Sequence, residues 1–321
     1  MKLGVVMDPI GSINFKKDST LAMLLEAQQR GYQLFYFEQA DLFLQGSQAM
    51  GTARRLTVKH DADNWYALEK PQHMALQQLD VILMRKDPPF DMDYIYSTYI
   101  LEQAQQSGVM VVNDPRSLRD ANEKLFALQF EQCISPTVVS SRYAQLKSFI
   151  QQQQDVILKP LEGMGGHSIF RVRADDPNLN VILETMTRQQ QRLIMAQRYI
   201  PEVTKGDKRI LLIDGVAVPY ALARIPASGE TRANLATGGR GEGVALSERD
   251  QWICDQVGPK LKAMGLMFVG LDVIGDFLTE INVTSPTCIR ELDSLYNMNI
   301  SALLLDRIEE KRQQHGHIAS L

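Results

Sequence analysis

The sequence predicts an α/β N-terminal domain built on a parallel sheet, followed by an α+β region of mixed or antiparallel strands. Two observations lead there. Over the first third, short apolar runs alternate with amphipathic stretches, and that βαβ rhythm gives a parallel sheet flanked by helices. Beyond Asp114-Pro115 many apolar runs follow one another with little more than turns between them. The 321 residues suffice for two or three domains with several cores.

The elements follow in order. "KLGVVMD" has the continuous apolar character of a buried parallel strand and ends at Asp8-Pro9. "DSTLAMLLEAQQRG" is a helix with an Asp or Ser cap and Gly31 at its end. "YQLFYFE" and "DVILMRKDPPF" are strands, a helix runs from Asp93 to Gln106, and "VMVVN" is a further strand. Asp8, Arg85 and Asn113 then sit at carboxyl ends of strands, where open α/β sheets gather functional groups. "SLRDANEKLFALQF" predicts a helix, and "TVVS", "DVILKPL", "SIFRV", "RLIMAQRYI", "RILLID" and "AVPYALARIP" predict strands. A loop rich in Gly and Arg spans 226–243, a helix 247–264, and strands "MFVGLDVI" and "FLTEINV" meet at Gly275-Asp276 before a last helix over 299–313.

Composition excludes some functions. A net charge of -4 offers no bulk attraction for nucleic acid. No run approaches the roughly 18 apolar residues of a membrane span. The three cysteines match no metal or redox spacing, and the apolar start is too short for a signal peptide, so a cytoplasmic location is expected. His315 and His317 read as a solvated tail before a metal pair.

Several motifs admit chemistry. Glu280 and Asn282 alternate with Ile281 and Val283, so they share a strand face. A solvated edge strand explains that pattern; so does a pair of oxygen ligands for a hard cation, with Asp272 upstream through the hairpin. Lys159 ends an apolar run before Gly163, Gly165 and Gly166, which suits either a plain hairpin or a phosphate cradle of backbone N–H groups. Lys124 lies on the predicted helix, where a lysine is usually solvated. "MAQRYIP" suits a core strand, or an adenine edge with Tyr199 and Ile200 against the ring. Asp207 and Arg209 precede a strand on one face, and Arg224, Arg232 and Arg240 lie in or beside the Gly-rich loop. Arginines there suit a surface loop, or a lid over an anionic substrate.

Taken in order, the two lysines, glycine loop, adenine-edge strand and D…E-x-N hairpin resemble the ATP-grasp ligases. "VVMDPI", "ILMRKDPPFDMDYIYSTYILE", "LKPLEGMGGHSIFRV", "LARIPASGETRANLATGGRGE" and "FVGLDVIGDFLTEINVTSPTCIRE" are similar to the bacterial glutathione synthetase family over nearly the whole chain. That resemblance implies an N-terminal substrate domain at 1–121 and a two-part ATP-grasp unit, with a central lid subdomain at 122–200. A C-terminal subdomain follows at 201–321, with a mobile loop at 225–240. It implies ligation of glycine to γ-glutamylcysteine with ATP as co-substrate, through an acyl phosphate, the alternative being another ATP-grasp carboxylate–amine ligase. By residue, it implies that Asp272, Glu280 and Asn282 hold Mg2+, with Mn2+ as the alternative ion. Lys124, Lys159, Gly163, Gly165 and Gly166 would meet the phosphates, and Gln197, Tyr199, Ile200 and Asp207 the adenosine. Ser12, Asn14, Arg85 and Ser285 would face the dipeptide, and Arg209, Arg224 and Arg232 the transferring phosphate and carboxylates. Bacterial members are commonly homotetramers. The chain departs from the family at His167, where a small residue is expected, and in a lid with fewer glycines.

Local and functional chemistry conflict at Gly275-Asp276. A plain two-residue hairpin pairs Asp272 with Thr279 and leaves Asp272 and Glu280 on opposite faces. A shared metal site requires an odd-length connection or a one-residue bulge between them. The lid is open to direct test. Limited trypsin digestion is expected to cut at Arg232 or Arg240, and ATP with dipeptide is expected to slow the cut. Equal cleavage with and without ligands removes the lid.

Overall fold

The computed structural model describes residues 1–162, 168–227 and 239–318, without the side chains of 315–318. Gly163, Gly165, Gly166, His167, Arg232 and most of the expected lid lie outside the described residues, as do the side chains of His315 and His317.

The first sheet is made by β1 (Lys2–Met7), β2 (Gln33–Phe37), β3 (Leu42–Gln45), β4 (Gln48–Val58), β5 (Tyr66–Leu68), β6 (Gln72–Ala75), β7 (Val81–Arg85) and β8 (Met110–Val112). Its order is β3-β4-β2-β1-β7-β8, with β5 and β6 also on β4. The β2-β1-β7-β8 core is parallel. Strand β4 runs antiparallel to β2, so the expected parallel sheet is a mixed one. The antiparallel arm comes from 42–75, where alternate half-buried residues blur the apolar signal.

Three helices belong to this part: α1 (Ser19–Gln29), α2 (Met92–Gln106) and α3 (Pro115–Asp120). Asp18, Asp91 and Asp114 cap them by accepting the backbone N–H three residues on, 2.6, 2.9 and 2.9 Å away. The long helix expected from Ser117 stops at Asp120. The Asn122 side chain accepts the N–H groups of Lys124 and Leu125, at 3.2 and 3.0 Å, and this Asx turn competes with helix. Lys124 therefore stands on a turn, not on a helix.

The second sheet is antiparallel, in the order β11-β10-β12-β9. Its strands are β9 (Thr137–Ser140), β10 (Asp155–Pro160), β11 (Phe170–Arg173) and β12 (Ile194–Arg198), and helices α4 (Tyr143–Gln153) and α5 (Leu179–Met186) cover it with a core of their own. The third sheet is antiparallel in the order β15-β14-β13-β16-β17. It contains β13 (Asp207–Ile213), β14 (Val216–Ile225), β15 (Arg240–Ala245), β16 (Phe268–Ile274) and β17 (Phe277–Asn282). Three helices pack with it: α6 (Glu248–Ala263), α7 (Ile289–Tyr296) and α8 (Ile300–Ile318). The end of the expected loop, 240–243, is strand β15, paired to β14 from Ile225↔Arg240 onward.

The apolar cores of the first and third sheets run into one another, whereas the second sheet's core is separate. Asn113, just past β8, pins the first pair. Its amide donates to Phe268 O at 2.8 Å and Val283 O at 2.7 Å, and its oxygen accepts Phe268 N–H at 2.8 Å. The functional residue expected at this strand end is a buried staple. Asn113→Ala strands those three backbone groups, so urea denaturation is expected to show a loss of about 2–4 kcal/mol. A change below about 0.5 kcal/mol contradicts the staple.

Candidate active site

The third sheet aligns charged residues across its strands. Asp207 pairs with Arg224 between β13 and β14, Arg209 with Asp272 between β13 and β16, and Asp272 with Glu280 between β16 and β17. Asp207 and Arg209 belong to β13 itself rather than preceding the strand. The last pairing resolves the hairpin conflict. Gly275, at φ 55°, and Asp276 form the two-residue turn that local chemistry favours, pairing Ile274 with Phe277 and Val273 with Leu278. Thr279 is then a one-residue bulge, and the register shift brings Glu280 opposite Asp272.

Asp272 is buried, and burial opposes its charge. Arg209 and Arg224 outweigh that and hold its carboxyl well below the usual range. Arg209 Nε lies 2.5 Å from Asp272 Oδ1 and Nη2 3.1 Å from Oδ2; Arg224 Nη2 lies 2.9 Å from Oδ2. Gly270 makes the approach feasible, since a Cβ there would stand 2.8 Å from Arg209 Cδ. Asp207, 2.5 Å from Arg224, is pushed up to about 7 by burial, only partly offset by that arginine.

Two lysines reach this sheet from outside it. Lys124 Nζ is 3.1 Å from Glu280 Oε1. Burial raises the Glu280 pKa, but Lys124 and then Lys159 outweigh it and hold the group ionised. Lys159, on β10 of the second sheet, donates to Gln197 Oε1 at 3.2 Å and to the carbonyl of the bulged Thr279 at 3.4 Å. Both acceptors are neutral, and burial pulls the Lys159 pKa down. Gln197 in turn donates to Thr137 Oγ1 at 3.2 Å. Lys124, Lys159, Arg209 and Arg224 thus crowd around Asp207, Asp272 and Glu280, with Glu123 beside Lys124.

Asn282 lies opposite Gly270, and its amide nitrogen donates to Gly270 O at 3.2 Å, which turns its oxygen the other way. Among the described residues, no group of three or more His, Cys, Asp or Glu could hold a metal alone. Two carboxylates and one amide oxygen are donors of the kind a hard cation takes, though Asp272 is engaged here by Arg209 and Arg224 and Glu280 by Lys124.

The remaining candidates are more dispersed. Arg85, buried at the end of β7, donates to Thr20 Oγ1 at 3.1 Å and to Pro286 O at 2.8 Å, beside Ser285. Ser12 and Asn14 lie in the exposed β1–α1 loop. Tyr199 carries the Arg171 guanidinium 3.6 Å above its ring, and its N–H donates to Asp155 O. Ile200, the next residue, is buried. Sequence reasoning missed Glu123. Its buried Oε1 accepts Val283 N–H at 2.9 Å, Thr284 N–H at 3.1 Å and Thr284 Oγ1 at 2.9 Å. It holds the stretch between Asn282 and Ser285 against the turn bearing Lys124; a carboxylate beside that lysine was the only available signal.

The architecture is shared with solved enzymes. The ATP-grasp ligase PsnB complexed with minimal precursor superposes with a TM-score of 0.63 at 16% identity, covering 96% of this chain and 98% of that one. The protein therefore has the fold of the ATP-grasp ligases. Residues 1–119 match the N-terminal domain of prokaryotic glutathione synthetase and residues 123–297 its ATP-grasp domain. The glutathione synthetase of Pseudomonas aeruginosa is 62% identical over 308 residues, 96% of this chain and 97% of the relative. That of Pseudomonas syringae pv. tomato is 61% identical over 313 residues, 98% of each. The chain belongs to the prokaryotic glutathione synthetase family.

Lys159 gives a direct test of function against stability. Lys159→Met removes a buried charge whose hydrogen-bond acceptors are neutral, so the urea midpoint is expected to stay or rise. ATP affinity, measured by calorimetry, is expected to fall by at least about tenfold. A lower midpoint with unchanged affinity identifies a structural lysine.

Proposed function

We propose that this protein joins glycine to γ-L-glutamyl-L-cysteine, with ATP as co-substrate, giving glutathione, ADP and phosphate. The observation that supports it most is the cluster of four buried cations around Asp272 and Glu280, in a chain of this family. A carboxylate is a poor electrophile. In the proposed sequence, an oxygen of the dipeptide's cysteinyl carboxylate attacks the γ-phosphorus of ATP, and ADP leaves. The glycine amine then attacks the acyl carbon and loses a proton, and phosphate departs. Phosphoryl transfer asks the protein chiefly for positioning and charge neutralisation.

In this reading Lys124, Lys159, Gly163, Gly165 and Gly166 bind the phosphates. Gln197, Tyr199, Ile200 and Asp207 line the adenosine; the Arg171 stack on Tyr199 and the Arg224 pair with Asp207 limit how those two side chains present themselves. Arg209, Arg224 and Arg232 neutralise the transferring phosphate and the carboxylates. Asp272, Glu280 and Asn282 would hold Mg2+ or Mn2+, which would draw charge from the phosphate oxygens. Ser12, Asn14, Arg85 and Ser285 receive the dipeptide. Domain division at 1–121, 122–200 and 201–321 keeps each sheet whole. A cytoplasmic homotetramer completes the proposal. No helix among the described residues is long and apolar enough to cross a membrane.

The deciding assay is phosphate release from ATP with γ-glutamylcysteine, with and without glycine. Full release is expected only with both, and release that ignores the dipeptide rejects the substrate. For the metal, Glu280→Gln is expected to reduce turnover by at least about 100-fold at saturating Mg2+ with a far smaller effect on folding. Near-normal activity rejects Glu280 as a ligand.

A further inference from the structure

The β1–α1 loop, which bears Ser12 and Asn14, is held from both ends by side chains that the reaction does not otherwise use. At its start, Ile10 N–H donates to Tyr36 Oη at 3.2 Å, and Tyr36 Oη donates on to Glu38 at 2.9 Å. Ile10 O accepts the indole N–H of Trp65 at 3.2 Å. Both backbone groups of one buried residue are thus committed to side chains.

Past Asn14, Phe15 is enclosed. Its ring centroid lies 6.0 Å from that of Trp65 and 5.6 Å from that of His60, and the Arg290 guanidinium stands 5.2 Å from the ring centre. Arg290 Nη1 donates to Phe15 O at 2.8 Å, and Nη2 lies 3.1 Å from His60 Nε2. Trp65 therefore touches the loop on both sides of Ser12 and Asn14. Residues 60 and 65 come from the connection between β4 and β5, in the arm that sequence periodicity passed over. Arg290 comes from the first turn of α7, more than 270 residues beyond the loop it grips. Two distant parts of the chain converge on one short loop.

A polar loop without such pins samples many conformations, and ordering it on binding costs affinity. We propose that Trp65 and Arg290 are positioning residues for the acyl donor, holding the loop so that Ser12 and Asn14 meet the dipeptide already in place. The proposal rests on the assignment of Ser12 and Asn14 to dipeptide binding. Neither Trp65 nor Arg290 need touch ATP or glycine, so the effect is confined to one substrate.

Steady-state kinetics on the full-length enzyme test this. Trp65→Phe keeps a ring against Phe15 and deletes only the donor to Ile10 O. The KM for γ-glutamylcysteine is expected to rise about fivefold, as loss of one hydrogen bond implies. The KM values for ATP and glycine, and kcat, are expected to change less than twofold. Arg290→Lys, which keeps the charge and loses the two-nitrogen grip, is expected to give the same signature. In the Asn14→Ala background, Trp65→Phe is expected to add little, because it acts through the loop. An unchanged dipeptide KM in both variants, equal changes in all three KM values, or full additivity with Asn14→Ala overturns the clamp. If Asn14→Ala alone leaves the dipeptide KM unchanged, the substrate assignment of the loop fails first, and the proposal falls with it.

Discussion

Asp272 sits within a sheet, where an uncompensated carboxylate costs several kcal/mol, and two guanidinium groups meet it there. Much of the site is arranged by that requirement. Arg209 must lie across Gly270 to arrive, Arg224 must come from the next strand but one, and Asp207 then shares Arg224. Removing any member leaves another charge buried and unmatched. The sheet therefore specifies its charged residues as a set.

The set is not balanced within the sheet. Lys124 and Lys159 arrive from a turn and from the second sheet, and Glu123 comes with Lys124. Lys159 in particular is paired with neutral oxygens, and burial works against its charge. Such an arrangement is poor for stability and well suited to a ligand that brings negative charge. The Thr279 bulge serves both sides of it. It rotates Glu280 onto the Asp272 face, and its carbonyl accepts Lys159.

Backbone staples keep these pieces in register. Asn113 joins the first sheet to β16 and to Val283, and Glu123 joins the Lys124 turn to Val283 and Thr284. Both end on the segment between Asn282 and Ser285. The merging of the first and third cores follows from the same junction, while the second sheet keeps an independent core.

The sequence by itself left β3 to β6 and helices α4, α5 and α7 unassigned; it determined the parallel strands and helices of the first sheet, the strands of the second and third sheets apart from β15, and the turn at Gly275-Asp276. Each depends on periodicity, capping or turn chemistry within a few residues. A shared site for Asp272 and Glu280 also called for the hairpin to deviate somewhere between them. Tertiary structure decided where: a bulge at Thr279, because the ladder from β13 to β16 and the contact of Lys159 with Thr279 O act from outside the hairpin. It decided, too, that Lys124 leaves its expected helix at an Asx turn, and that β4 runs antiparallel on an otherwise parallel core. Asn113 was legible as a strand-end polar residue but not as a staple, since its partners lie 155 and 170 residues away. Pairings of that range are set by the packing of whole sheets, and no local pattern encodes them.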